Sequence, residues 1–355
     1  MTRNTNGTAA NLLYVALIAL ALAGPFLFYP QFLMRALCLA LFASAFNLLL
    51  GYVGLLSFGH AAFFGFAAYV TGHLAKYGTI YLPYPGQLSA PRLAWFEIPL
   101  PPLTPELAIL SGAVAAALLG LAVGGLAIRR QGIYFAMVTL ALAQMLYFFC
   151  VQVPFTHGED GIQAIPRGQL FGLIDLNDSL TMYYFVLAMF IICFLIIQRT
   201  IHSPFGQTLK AIRENEPRAV SLGYNADRYK LMAFVISATL AGVAGSLFAL
   251  VFQIATLNNV HWHTSGEVVL MTLLGGMGTV LGPMVGAFVV AGIQQYLAGY
   301  GAWVSIFQGI IFVFCVLLFR RGIVGEIIAL RQRWSKGDAP DEAAPSSAPV
   351  VSATH

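Results

Sequence analysis

RTIHSPFGQTLKAIRENEPRAVSLGYNADRYK, residues 199–230, is the stretch that divides the chain. It holds six cations (Arg199, Lys210, Arg213, Arg218, Arg228, Lys230) with Glu214, Glu216 and Asp227 among them. On either side run Thr181 to Gln198 and Leu231 to Phe252, both apolar and both near the ~20 residues that a bilayer-crossing helix requires. A charged stretch between two such runs belongs in water at the membrane surface, where a soluble partner can reach it.

Working outward from there, the chain is almost entirely membrane. Of 355 residues, 59% are hydrophobic and 9% charged, with a mean hydropathy of +0.80. Soluble domains carry about a quarter charged residues, so this chain lacks the polar surface that water demands and has lipid as its solvent. The net charge of +4 gives no sign of nucleic-acid binding, because the cations are not gathered with exposed aromatics in a soluble domain. Cys38, Cys150, Cys193 and Cys315 lie singly in apolar runs, without metal-ligand spacing, and read as small buried hydrophobes.

The hydropathy pattern predicts an all-α polytopic membrane protein of about ten spans. Residues 1–10 form a leader. Asn11 to Tyr29 reads as a retained span rather than a cleaved signal, because the apolar run continues past Gly24 and the leader holds a single arginine, Arg3. Arg35 precedes a second run, Ala36 to Leu50, and a third follows at Ala61 to Ala75. Residues 77–106 carry seven prolines and exclude a long helix. Leu107 to Ile128 and Ile133 to Val153 flank a basic turn at Arg129 and Arg130. A second polar loop, Pro154 to Ser179, leads to the runs around 199–230. Val268 to Phe319 has no charge at all and suits three short spans. The membrane domain thus covers 11–336, and the Pro/Ala/Ser-rich residues 337–355 read as a disordered tail.

An even number of spans puts both termini on one side. With the N-terminus inside, fourteen of the eighteen cations face the cytoplasm, leaving Arg35, Lys76, Arg92 and Arg167 outside. The positive-inside rule therefore selects N-in, C-in.

Two glycine-rich breaks interrupt the apolar runs without any charge. The first is GYVGLLSFGH (51–60), with Gly51, Gly54, Ser57, Gly59 and His60. The second is LLGGMGTVLGP (273–283), with Gly275, Gly276, Gly278, Gly282 and Pro283. Irregular backbone at membrane depth persists only where protein buries it or a watery path runs beside it. One break in each half is the pattern of an inverted internal repeat with broken helices. All of these but Gly282 and Pro283 are candidates for a translocation path, and close helix packing is the competing role for each glycine. His60 either lines such a path or bonds a backbone carbonyl. His261 and His263, an H-x-H in an outer loop, are a weak metal signal on their own.

No Asp, Glu, Lys or Arg falls well inside an apolar run, which counts against a proton-coupled carrier and leaves no constellation for an intramembrane enzyme. No G-x-x-x-x-G-K-[ST] occurs, so the chain does not bind ATP by that route. A sodium-coupled carrier or a passive channel for a small amide stays open. Within 199–230, Ser203-Pro204 predicts a helix start, and Phe205, Leu209 and Ile212 form one apolar stripe ended by Pro217. Such a helix either anchors at the interface or docks into a soluble subunit.

The run GQTLKAIRENEPRAVSLGYNADRYKLMAFVISATLAGVAGSLFAL (206–250) resembles the matching stretch of the LivM-type permeases, membrane subunits of bacterial ABC importers for branched-chain amino acids and related compounds. AFNLLLGYVGLLSFGHAAFFGFAAYV (45–70) and LLGGMGTVLGPMVGAFVV (273–290) resemble two further signatures of that family, in the same order. The resemblance implies a permease of the bacterial inner membrane that binds no cofactor itself. It implies a LivH-like second permease, two cytoplasmic ATPases that use ATP and magnesium, and a periplasmic binding protein. It also implies that Gly206, Ala211, Arg213, Glu214 and Asn215 contact an ATPase, with Phe205, Leu209, Lys210 and Ile212 completing the docking set. The Pro- and aromatic-rich loop at 77–106 and the tail depart from a typical member and suggest a different cognate binding protein.

Overall fold

A computed structural model describes residues 22–26, 28–83, 95–99, 101–130, 132–301, 303–318 and 322–326. The leader at 1–10, most of the first expected span and the tail at 337–355 lie outside the described residues. The helices are α1 (Pro30–Asn47), α2 (His60–Lys76), α3 (Pro105–Ala127), α4 (Ile133–Gln152), α5 (Ser179–His202), α6 (Pro204–Glu214), α7 (Glu216–Ser221), α8 (Ala226–Phe252), α9 (Trp262–Gly275), α10 (Gly282–Tyr296) and α11 (Trp303–Leu318). Five helical stretches among the described residues are long and apolar enough to cross a membrane: Pro30–Val53, α3, α4, α5 and α8. The chain is a helical, multi-pass membrane protein.

The charge-free region 268–319 does form three short helices, as its length suggests. Helices α9 and α10, of 14 and 15 residues, span only about 22 Å at 1.5 Å per residue, less than the ~30 Å hydrocarbon core.

Helix α1 is the centre of the bundle, and its residues say why. It is apolar on every face and rich in alanine, so neighbours can approach from all directions. Helices α5, α8, α9 and α10 all pack on it, and 94% of its best membrane window is buried within the protein. For α4 that share is 28%, leaving most of its surface for lipid or another chain. Helices α2, α3 and α8 form a second tight group. There the Thr71 hydroxyl donates to the Ala108 carbonyl at 3.0 Å and lies 2.8 Å from Ser246 Oγ.

Extended chain is confined to loops. In the Pro-rich segment, β1 (Thr79–Pro83) pairs antiparallel with β2 (Trp95–Pro99), an arrangement prolines tolerate at an edge. The pair β3 (Ile162–Gln163) and β6 (Ile254–Ala255) ties the loop before α5 to the end of α8, and β4 (Gln169–Leu170) pairs with β5 (Ile174–Asp175). Arg167, one of the cations assigned to the outside, is buried and donates to Val251 O at 2.9 Å and Asn177 O at 3.3 Å. It staples that loop to α8.

One expectation is corrected. Arg35 precedes its apolar run, yet it sits in the second turn of α1, and Glu267, just before the charge-free region, likewise sits in the second turn of α9. The helices start earlier than the apolar runs do, because Pro30 and His261 supply start signals upstream of the charges.

Candidate functional site

The charged segment folds into two short helices, each begun by its own cap. Ser203 Oγ accepts from Gly206 N–H (3.3 Å), and Pro204 follows at the first turn. The helix stops at Asn215, whose φ of −155° is extended. The Asn215 side chain then accepts from Arg218 N–H (3.1 Å) and caps α7, with Pro217 in its first turn. Pro217 therefore opens the second helix instead of closing the first. Asn225 caps α8 in the same way, accepting from Arg228 N–H at 3.3 Å.

The apolar stripe of α6 is the face it buries. Leu209 and Ile212 are buried, and Phe205 is half-buried with its ring stacked 5.7 Å from that of Tyr229. Gly206 permits this seat: a Cβ there would lie 2.4 Å from Ile201 O and 2.5 Å from Thr200 O, backbone that cannot yield. Behind the helix, Lys230 Nζ donates to Glu216 Oε1 at 2.5 Å, with the lysine almost wholly buried. On the far side, Ala211, Glu214 and Asn215 are exposed.

The same helix reaches the glycine breaks. Helix α1 runs into a wide π turn, Leu48–Val53, closed by Gly54 at φ +82°, a left-handed conformation that glycine adopts without strain. The Arg213 guanidinium donates to the Gly51 carbonyl, while its stem lies along Gly54, where a Cβ would meet Arg213 Cγ at 3.1 Å. The Lys210 ammonium stands 5.6 Å over the Tyr52 ring. Gly51 in turn touches the second break, since a Cβ there would lie 2.7 Å from Gly278 N.

Asn47 binds the two breaks into one joint. Its Oδ1 accepts from Gly278 N–H and its Nδ2 donates to Thr279 O, both at 2.9 Å. Backbone freed from helices at membrane depth needs such partners. The sequence reading passed over Asn47. Its signal was a lone amide in an apolar run, four residues before Gly51. A cavity of about 500 Å³, lined by Gly54, Ile212, Arg213, Glu216, Lys230 and Met277 among others, separates the joint from α7.

The remaining candidates lie elsewhere. Residues 54–59 turn back along α1, and α2 begins beside Ala45, roughly 9 Å up the helix from Gly51 at 1.5 Å per residue. Ser57 Oγ accepts from Gly59 N–H (3.2 Å). Ser237 Oγ donates to Ala45 O (2.6 Å), so the 2.8 Å contact with His60 Nε2 is donated by the imidazole. The ring is packed edge-on against Phe46, Phe63 and Phe234. His60 thus joins α2 to α8 and α1 within the bundle. Gly275 seats α9 on α10: a Cβ would lie 1.8 Å from Gly282 O. Gly276, at φ +116°, ends α9. His261 Nδ1 accepts from His263 N–H (3.3 Å) at the start of α9, and its ring contacts Tyr147 at 5.2 Å.

Arg213 and Asn47 thus link α6 and the two breaks by direct hydrogen bonds. A family model described as the branched-chain amino acid transport system / permease component matches residues 28–316. The chain belongs to this permease family. It is a permease subunit of an importer of the ABC class. The chain is 26% identical over 339 residues to the high-affinity branched-chain amino acid transport system permease protein LivM of Escherichia coli (strain K12), covering 88% of this permease and 74% of that one. It is 29% identical over 194 residues to the autoinducer 2 import system permease protein LsrC of Klebsiella pneumoniae, covering 52% and 53%. The probable branched-chain amino acid transport permease protein LivH of Methanocaldococcus jannaschii is 26% identical over 136 residues, covering 37% of the permease and 40% of the relative. No solved structure matches the chain.

Proposed function

We propose that this permease carries branched-chain amino acids, or chemically related amino acids, amides or small carboxylic compounds, inward across a bacterial inner membrane by alternating access. About ten spans, N-in and C-in, with an inverted repeat relating the two broken regions, complete the reading. The relatives named for branched-chain amino acid transport support the substrate class, and the LivH relative supports a second, similar permease as partner. Two cytoplasmic ATPases supply the energy, and a periplasmic binding protein delivers the substrate.

The single observation that carries the reading is the Arg213 bridge. A helix whose buried face rests on the membrane domain, and whose exposed face offers Ala211, Glu214 and Asn215, hands its displacement through Arg213 to Gly51 and thence to Gly278. ATPase closure that shifts α6 would move both breaks together. In the complex reconstituted with its partners, Arg213→Glu and Glu214→Arg should each lower substrate-stimulated ATP hydrolysis at least ~10-fold, within the range of ordinary coupling energies. Unchanged ATPase association and unchanged stimulation would rule out this role for α6. Gradient-driven uptake by the chain alone, indifferent to ATP, would instead make it an ion-coupled carrier.

A further inference from the structure

At the end of α1 opposite the Arg213 joint lies a cavity of about 460 Å³, between α1, α9, α10 and the segment before α9. Arg35 and Gly51 stand 16 positions apart on the sequence, or about 24 Å along a helix. Arg35, Glu267, Gln294, Asn259 and His263 are among the polar groups that line it, and Leu39, Phe64 and Phe248 form an apolar wall. Sites for small ligands fall in roughly this size range and combine an apolar lining with a few converging polar groups.

The polar groups are arranged unusually for a structural ion pair. An arginine and a glutamate brought together in a membrane helix bundle ordinarily pair fork to fork, which offsets the cost of burying both charges. Here Gln294 stands between them: Arg35 Nη2 donates to Gln294 Oε1 at 2.8 Å, and Gln294 Nε2 donates to Glu267 Oε1 at 3.0 Å. The opposite charges are therefore held one amide group apart. Glu267 Oε1 also lies 3.9 Å from His263 Nδ1, and both charged groups retain capacity for a further partner.

Unused donors mark what that partner must be. Arg35 Nε and Asn259 Nδ2 are both buried without an acceptor, and both residues line this one cavity. Buried donors left unpaired cost free energy, and native structures rarely leave them so. Two donors, one of them cationic, suit a carboxylate. Glu267, an acceptor only when ionised, suits a cationic donor such as an ammonium.

We propose that Arg35, Gln294 and Glu267 form a substrate subsite for a small zwitterion, with carboxylate toward Arg35 and Asn259, ammonium toward Glu267, and an apolar side chain against Leu39, Phe64 and Phe248. The proposal rests on the transport reading above and locates on this chain a substrate contact independent of the docking helix. It also assigns Gln294 a purpose: the neutral amide keeps the two charges from collapsing onto each other when the site is empty.

The test is equilibrium binding without ATP, so its failure is separate from failure of the coupling role of Arg213. The transporter, assembled with its partner subunits in lipid nanodiscs, is titrated with L-leucine, with 4-methylpentanoate (the same skeleton without the amine) and with 3-methylbutylamine (without the carboxylate). The wild type should prefer leucine to either analogue at least tenfold. Arg35→Gln should erase most of the preference over 3-methylbutylamine, and Glu267→Gln most of the preference over 4-methylpentanoate. A merely structural network would weaken all three probes together or none of them. Either of those patterns, or no leucine binding by the wild type, overturns the proposal. Gln294→Leu serves as a second variant: it should reduce leucine binding at least tenfold while the complex still assembles, and wild-type binding would count against the site.

Discussion

The two breaks in the bundle differ in how closely their backbones pack. The first, from Leu48 to Gly59, is held by side chains: Arg213 and Ser57 each satisfy backbone that the helices have released. In the second, between α9 and α10, Asn47 and Thr279 side chains hold the turn, but the two helices meet backbone against backbone. A Cβ on Gly275 would lie 1.8 Å from Gly282 O, and one on Gly286 1.8 Å from Met271 O. A joint made of side-chain hydrogen bonds can exchange partners and move. One made of main-chain contact moves only if its two helices part. The difference assigns flexing to the first break and a rigid corner to the second, with Asn47 handing motion across.

The largest expected effect breaks the rigid corner. Gly275→Val puts two methyl groups where Gly282 carbonyl and Gly286 amide already sit, at a cost of about 3 kcal/mol or more. Little monodisperse protein should survive size-exclusion in detergent, and a normal elution profile with unchanged melting would contradict the tight seat. An intermediate effect is expected at the joint. Asn47→Leu leaves Gly278 N–H and Thr279 C=O without partners, costing about 2 kcal/mol. The melting temperature should fall while ATP-driven uptake falls further, because coupling as well as stability depends on this amide. A loss of uptake no greater than the loss of folded protein would make Asn47 a structural residue only. The smallest effect is the control on the same helix as the corner. Gly292 of α10 has nothing within 4 Å of its Cβ position, so Gly292→Ala should keep or raise stability by up to about 1 kcal/mol. Destabilisation there would show that α10 is sensitive throughout, and the contrast with Gly275 would lose its meaning.

How much of this was legible beforehand differs by feature. Helices α3, α4, α5 and α8 follow from apolar runs of bilayer length, and α6 from Ser203, Pro204 and the Phe205–Leu209–Ile212 spacing, all local properties. The joint was not legible, because Asn47 and Gly278 are 231 residues apart and nothing local tells an amide which distant amide it will bind. The place of Arg35 was misread for a related reason. A hydropathy window stops at a charge, whereas a helix stops at a cap, and Pro30 and His261 start α1 and α9 before Arg35 and Glu267 arrive.

The sequence by itself determined that this chain lives in a membrane, where most of its long helices lie and which family it resembles. These depend on composition and on residues within a turn or two of one another. Only the tertiary structure decided that Arg213 touches Gly51, that the two glycine breaks are a single joint, and that Arg35 and Glu267 face one cavity across Gln294. Each of these needs groups from distant segments to satisfy one another, and in a low-dielectric bundle that mutual satisfaction, rather than local preference, selects the arrangement.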